Sequence, residues 1–143
     1  MKKLLVLSFF MPFLAKAQFT LTNTSTVEIA EVRAGTWPVD LQRVIKESDT
    51  CYLLSFRDQQ YTNDVNMSTL KFGNLIQLRY FMKGLVALKN GGTGDEAKFK
   101  DYTLKRQDKK KEGVWYTLTC SEGDLTNFLQ PEADKLITAI KSL

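Results

Sequence analysis

Apolar residues recur along this chain with two different periods. Leu75, Leu78, Met82, Leu85 and Val86 fall at i, i+3, i+7, i+10 and i+11, the spacing of one helix face, and Ile76, Phe81 and Leu88 widen it. Asn74 stands where an N-cap belongs, and Asn90-Gly91 where a left-handed stop belongs. A second helix is predicted after Gln130-Pro131-Glu132, because proline suits a first helical turn; its stripe is Ala133, Leu136, Ile137 and Ile140.

Elsewhere the period falls to two. Phe19, Leu21, Val27 and Ile29 alternate loosely in a threonine-rich segment that suits one or two strands. Thr69 to Phe72 and Leu125 to Leu129 read as short strands. Lys98 to Leu104 leads through the turn DKKKEG into Val114, Tyr116, Leu118 and Cys120, a hairpin with a charged tip. Between Trp37 and Phe56 the pattern divides. Trp37, Leu41, Val44 and Ile45 fall at helical spacing, yet the polar break Lys46 to Asp49 before the β-prone Cys51 to Phe56 favours a hairpin, with a helix over residues 38–47 as the alternative.

Together these elements predict an α+β domain: an antiparallel β-sheet of about five to seven strands with two α-helices packed on one face. CYLLSF, a polar loop, STLKF and a helix are echoed by VWYTLTC, a polar turn, LTNFL and a helix. Few residues match, so the echo does not establish a duplication.

The start, MKKLLVLSFFMPFLAKAQ, sets lysines before an eleven-residue apolar run and closes on Ala15-Lys16-Ala17. That is the pattern of a signal peptide, and in style it resembles bacterial leaders. The run is too short to span a bilayer, and no cysteine follows it to be acylated. Cleavage after Ala17 is expected, leaving residues 18–143 as a single domain in a periplasm or outside the cell, with no membrane span. Losing Lys2, Lys3 and Lys16 reduces 20 basic residues to 17 against 16 acidic ones, so the mature chain is near +1 rather than +4. A nucleic-acid partner is disfavoured accordingly.

Export also changes the reading of Cys51 and Cys120. Two cysteines in an oxidising compartment favour a disulfide, which would close a loop of about 70 residues and contribute about 4 kcal/mol in the chain-entropy model. Two buried thiols are the alternative.

The residue inventory excludes much chemistry. There is no histidine, which removes histidine-based triads, histidine-ligated zinc and the usual general base near neutral pH. No cofactor or metal is expected. The stretch NGGTGDE has the glycines of a phosphate loop but follows a helix C-terminus, where the local field is negative, and lacks the lysine and hydroxyl of such a loop. It reads as a helix stop and linker. Asp58, Asn63, Asp64 and Asn66 crowd one loop without calcium-loop spacing, and such residues favour turns. Asn23-Thr24-Ser25 and Asn66-Met67-Ser68 match a glycosylation pattern relevant only in a eukaryotic pathway.

What remains is a binding module for a protein or other macromolecule, of unidentified partner and oligomeric state. Candidate contact residues are Trp37, beside Pro38 at a bend, and Lys109, Lys110 and Lys111 in the hairpin tip. The alternatives are a small exported enzyme and an apolar-ligand carrier. The enzyme would use carboxylates among Glu28, Glu31, Asp40 and Asp58, or a thiolate at Cys51 or Cys120.

Overall fold

The computed structural model describes residues 23–61 and 65–143, so the expected leader, residues 1–17, and the strand positions Phe19 and Leu21 lie outside the described residues. From Thr24 the chain lays down a four-stranded meander, β1 (Thr24–Ala34), β2 (Trp37–Lys46), β3 (Asp49–Arg57) and β4 (Met67–Phe72), followed by α1 (Leu75–Lys89). It then repeats that order with β5 (Glu96–Lys98), β6 (Tyr102–Lys109), β7 (Gly113–Cys120), β8 (Leu125–Leu129) and α2 (Gln130–Lys141). Residues 38–46 are strand and Glu47 turns into β3, as the hairpin reading expects.

The α+β class and the two helices stand, but the single sheet does not. The eight strands form two four-stranded antiparallel sheets, ordered β1-β2-β3-β4 and β5-β6-β7-β8. Alternation reports which side of a strand is buried, not which strand lies beside it, and α1 separates β4 from β5.

In the first sheet Val39 lies opposite Phe56, and Leu41 opposite Leu54, all turned inward. A register shift between Glu28 and Ala30 bulges β1 at Ile29. In the second sheet Leu104, Tyr116, Leu118 and Phe128 are buried. These side chains join Leu78, Phe81 and Leu85 of α1 and Leu136 and Ile140 of α2 in one core.

Each helix reaches beyond its own meander. α1 packs on β3 and β4 and also on β5 and β6, while α2 packs on β7 and β8 and most extensively on β1 of the other sheet. The Asn74 side chain caps α1 by accepting from Gln77 N–H at 3.0 Å. Ile76, expected on the buried face, is exposed instead, because the face is centred on Leu78, Phe81, Leu85 and Leu88.

Candidate functional site

Three strand ends meet at one end of the first sheet: the start of β2, the end of β3 and the start of β4. Met67 lies opposite Arg57 in the β3–β4 register, and the Arg57 guanidinium stands 4.0 Å from the centroid of the Trp37 ring. A cation over an indole face contributes about 0.5–1 kcal/mol at exposed sites. Trp37, Tyr61, Val65 and Met67 keep 39% to 64% of their surface exposed, and Tyr61 and Val65 belong to the loop that joins β3 to β4. Trp37, Arg57 and Met67 are therefore gathered at this strand end, and the loop that follows β3 adds the exposed Tyr61 and Val65. Scattered apolar residues are ordinary on a surface; a group gathered on one end of one sheet is the informative case.

A polar seam fixes this end against the second sheet. Asp58, 1% exposed, accepts from Gln60 N–H and Leu125 N–H, each at 3.0 Å. Gln59 N–H donates to Leu125 C=O at 2.8 Å, so the chain leaving β3 is pinned to the start of β8. The Gln59 side chain continues the seam, donating to Ala34 C=O and Thr126 Oγ1 and accepting from Asn127. Asp58 thus turns inward to satisfy backbone donors, as the turn reading expects; Asn63 and Asp64 lie outside the described residues. Among the described residues, no three or more acidic or cysteine side chains gather in a metal-binding arrangement.

The basic tip is a separate feature. Lys110 and Lys111 sit in the β6–β7 turn, while Lys109 pairs with Glu112 at 3.2 Å and lies 4.8 Å from the Trp115 ring centroid. No hydrogen bond, ion pair or ring contact joins this tip to Trp37 among the described residues, so the two candidate contact regions stay apart.

Just before the glycine stretch, the carbonyl end of α1 receives a cation, in keeping with the helix polarity. Arg106 of β6 donates to Leu88 C=O at 2.9 Å and Lys89 C=O at 2.7 Å, closing the carbonyl end of α1, and pairs with Asp108. Gly91 does not adopt the expected left-handed conformation; within the stretch, the glycine with positive φ is Gly94, at 89°. At Gly91 a Cβ would displace the Asp95 carboxylate that accepts from Gly92 N–H. The linker is also knitted to β6, because Gly94 N–H donates to Arg106 C=O and Asp95 C=O accepts from Arg106 N–H.

The bridge expected between Cys51 and Cys120 is absent: both are half-buried free thiols, one on β3 of the first sheet and the other at the end of β7 in the second. Burial pushes the Cys120 thiol up to about 11, with Asp124, Glu122 and Asp58 adding to the effect. A thiolate so disfavoured is a poor nucleophile at neutral pH. Iodoacetamide at pH 7.5 is therefore expected to label Cys120 about 100-fold more slowly than an ordinary exposed thiol, with the rate rising about tenfold per pH unit to pH 10. Intact-mass kinetics on a Cys51→Ala variant would show it, and rapid labelling at neutral pH would refute it.

Among the candidate carboxylates, Glu31 and Asp40 lie directly opposite each other on β1 and β2. Desolvation, and then Glu31, raise the Asp40 carboxyl above its usual range. Arg33 approaches Glu31 at 3.8 Å. Glu28 lies opposite Gln42 instead, so the sheet selects one acidic pair, set across the β1–β2 ladder.

The protein is thus an α+β fold of two meander-and-helix halves with an uncovered patch around Trp37 at one sheet end. No family model, curated protein or solved structure matches the chain. No helix among the described residues is long and apolar enough to cross a membrane. Of the patch residues, sequence reading singled out Trp37 alone. Arg57 and Met67 stand twenty and thirty positions away in the chain, and only the strand register brings them to it.

Proposed function

We propose that this chain is an exported, non-enzymatic binding module that holds a protein partner against the Trp37 end of the first sheet. The observation that carries the reading is the gathering of exposed Trp37 and Met67 around the half-buried Arg57 at one sheet end. Aromatic residues, methionine and arginine are the types enriched where proteins meet, and tryptophan and arginine recur among the contacts that dominate affinity. Strand ends carrying aromatic, methionine and arginine side chains suit a macromolecular partner. The leader supports export, and the lack of histidine, with Cys120 held protonated, supports a non-catalytic role.

The test is capture of tagged protein from its own secretory compartment, with bound chains identified by mass spectrometry and competed by untagged protein. A Trp37→Ala variant is expected to lose about 2 kcal/mol of affinity, roughly thirtyfold, whereas Lys110→Glu with Lys111→Glu retains the partner. A partner held equally well by Trp37→Ala, or substrate turnover by the purified protein, would sink the reading.

A further inference from the structure

The two meanders carry matching cross-strand rows on the faces that the helices cover. In the first, Arg43, Tyr52 and Phe72 lie opposite one another across β2, β3 and β4, and Leu41, Leu54 and Leu70 form the next row. In the second, Arg106, Tyr116 and Phe128 lie opposite one another across β6, β7 and β8, with Leu104, Leu118 and Thr126 next. Each helix begins just after its phenylalanine, and the buried Leu78, Phe81 and Leu85 of α1 share their spacing with Ala133, Leu136 and Ile140 of α2. Arg43 is therefore the counterpart of Arg106.

The two guanidinium groups are not equally served. Arg106 donates to two carbonyls at the end of α1 and, at 2.8 Å, to the carboxylate of Asp108, two residues on. Two residues on from Arg43 stands Ile45, and α2 ends at Lys141, short of the turn that would match the one Arg106 holds. Arg43 Nε is buried without an acceptor, and the guanidinium enters no hydrogen bond or ion pair among the described residues. The sheet supplies no acid either. Glu28 and Glu31 of β1, Asp40 of β2 and Asp49 of β3 all alternate to the opposite face, and β4 has no acidic residue. On α2, Glu132 is held by Lys135 and Asp134 by Lys89. Apolar surface lies beside the charge: Val27, opposite Arg43 on β1, is 43% exposed, and the half-buried Ile45 follows on the same face of β2.

We infer that Arg43 anchors a binding site for a monocarboxylate with a short apolar chain, on the helix-covered face of the first sheet. The ligand supplies the oxygens that α1 and Asp108 supply to Arg106, and its apolar body rests against Val27 and Ile45. A guanidinium partly withdrawn from water is best served by the two parallel bonds of a carboxylate, whose planar geometry matches its own. The site stands apart from the Trp37 patch, toward the other end of β2, and does not depend on it.

The test follows the arginine Nε–H signals of purified, 15N-labelled protein during titration with sodium 3-methylbutanoate. The Arg43 signal and the Val27 amide are expected to shift and saturate at millimolar ligand, while the Arg106 signal, whose guanidinium is already bonded, stays in place. Neutral 3-methylbutanamide is expected to leave both arginine signals fixed. Arg43→Gln should weaken binding about tenfold or more, the effect of losing a hydrogen bond to a charged group. Equal movement of the Arg43 and Arg106 signals, an equal response to the amide, or no shift at Arg43 would overturn the inference. So would inorganic phosphate moving the Arg43 signal as far as the carboxylate does, since the site would then take anions of any shape. The comparison of ligands uses the unaltered protein, so it decides the matter even if Arg43→Gln does not fold. Trp37→Ala retains the response; failure of this titration therefore leaves the patch standing, and loss of partner capture leaves this site standing.

Discussion

Phe81→Ala is expected to cost about 3–5 kcal/mol of folding stability, the range for emptying a buried aromatic site. Phe81 is 1% exposed and comes from α1; its ring lies 5.5 Å from Phe72 of β4 and 5.7 Å from Tyr102 of β6. One ring therefore touches both sheets. Tyr102 is in turn stacked on Phe99 at 4.5 Å, so the void would open beside the ring that meets the other three of the cluster. Native domains hold only about 5–15 kcal/mol in total, which places this variant near unfolding at room temperature. Urea denaturation would measure the loss, with Phe81→Leu, which keeps much of the volume, as the milder control. Trp37 reports on the first sheet and Trp115 on the second. In single-tryptophan variants the two midpoints are expected to fall together. Midpoints that separate would show that the two sheets do not share one cooperative core.

Asp58→Ala is expected to cost about 2–3 kcal/mol, since it strands the Leu125 N–H and removes a charge-assisted bond from a buried position. Asp58→Asn keeps an acceptor oxygen in place and should recover much of the loss. Amide exchange separates this account from general destabilisation: Leu125 N–H should lose protection well before the β3–β4 ladder does. If Leu125 stays as protected as its neighbours in Asp58→Ala, the carboxylate does not hold the seam.

The helices were legible because each carries its own signal. The stripe Ala133, Leu136, Ile137 and Ile140 is buried throughout, and the Asn74 cap is made as its position predicts. The hairpins were legible where a polar break separates two alternating runs, as at Lys46 to Asp49. β5 was not, because it is three residues long and turns into β6 through Phe99 to Asp101 with neither glycine nor proline to mark it. The division into two sheets depends on pairing between strands, which a pattern along one strand does not carry. Arg106 has the same character: its service to the α1 carbonyls is a contact across seventeen and eighteen positions, and in the sequence it is one more charge in a basic run. That Cys51 and Cys120 sit on different sheets is likewise a matter of strand pairing, which residue count and compartment leave open.

The packing of α2 against β1 has a consequence in time. The first meander is complete as a ladder once β4 has been made, but the surface of β1 that α2 covers stays bare until the twelve residues of that helix have emerged. A polypeptide built this way has no early resting point: the ribosome must deliver the second half before the first is sheltered.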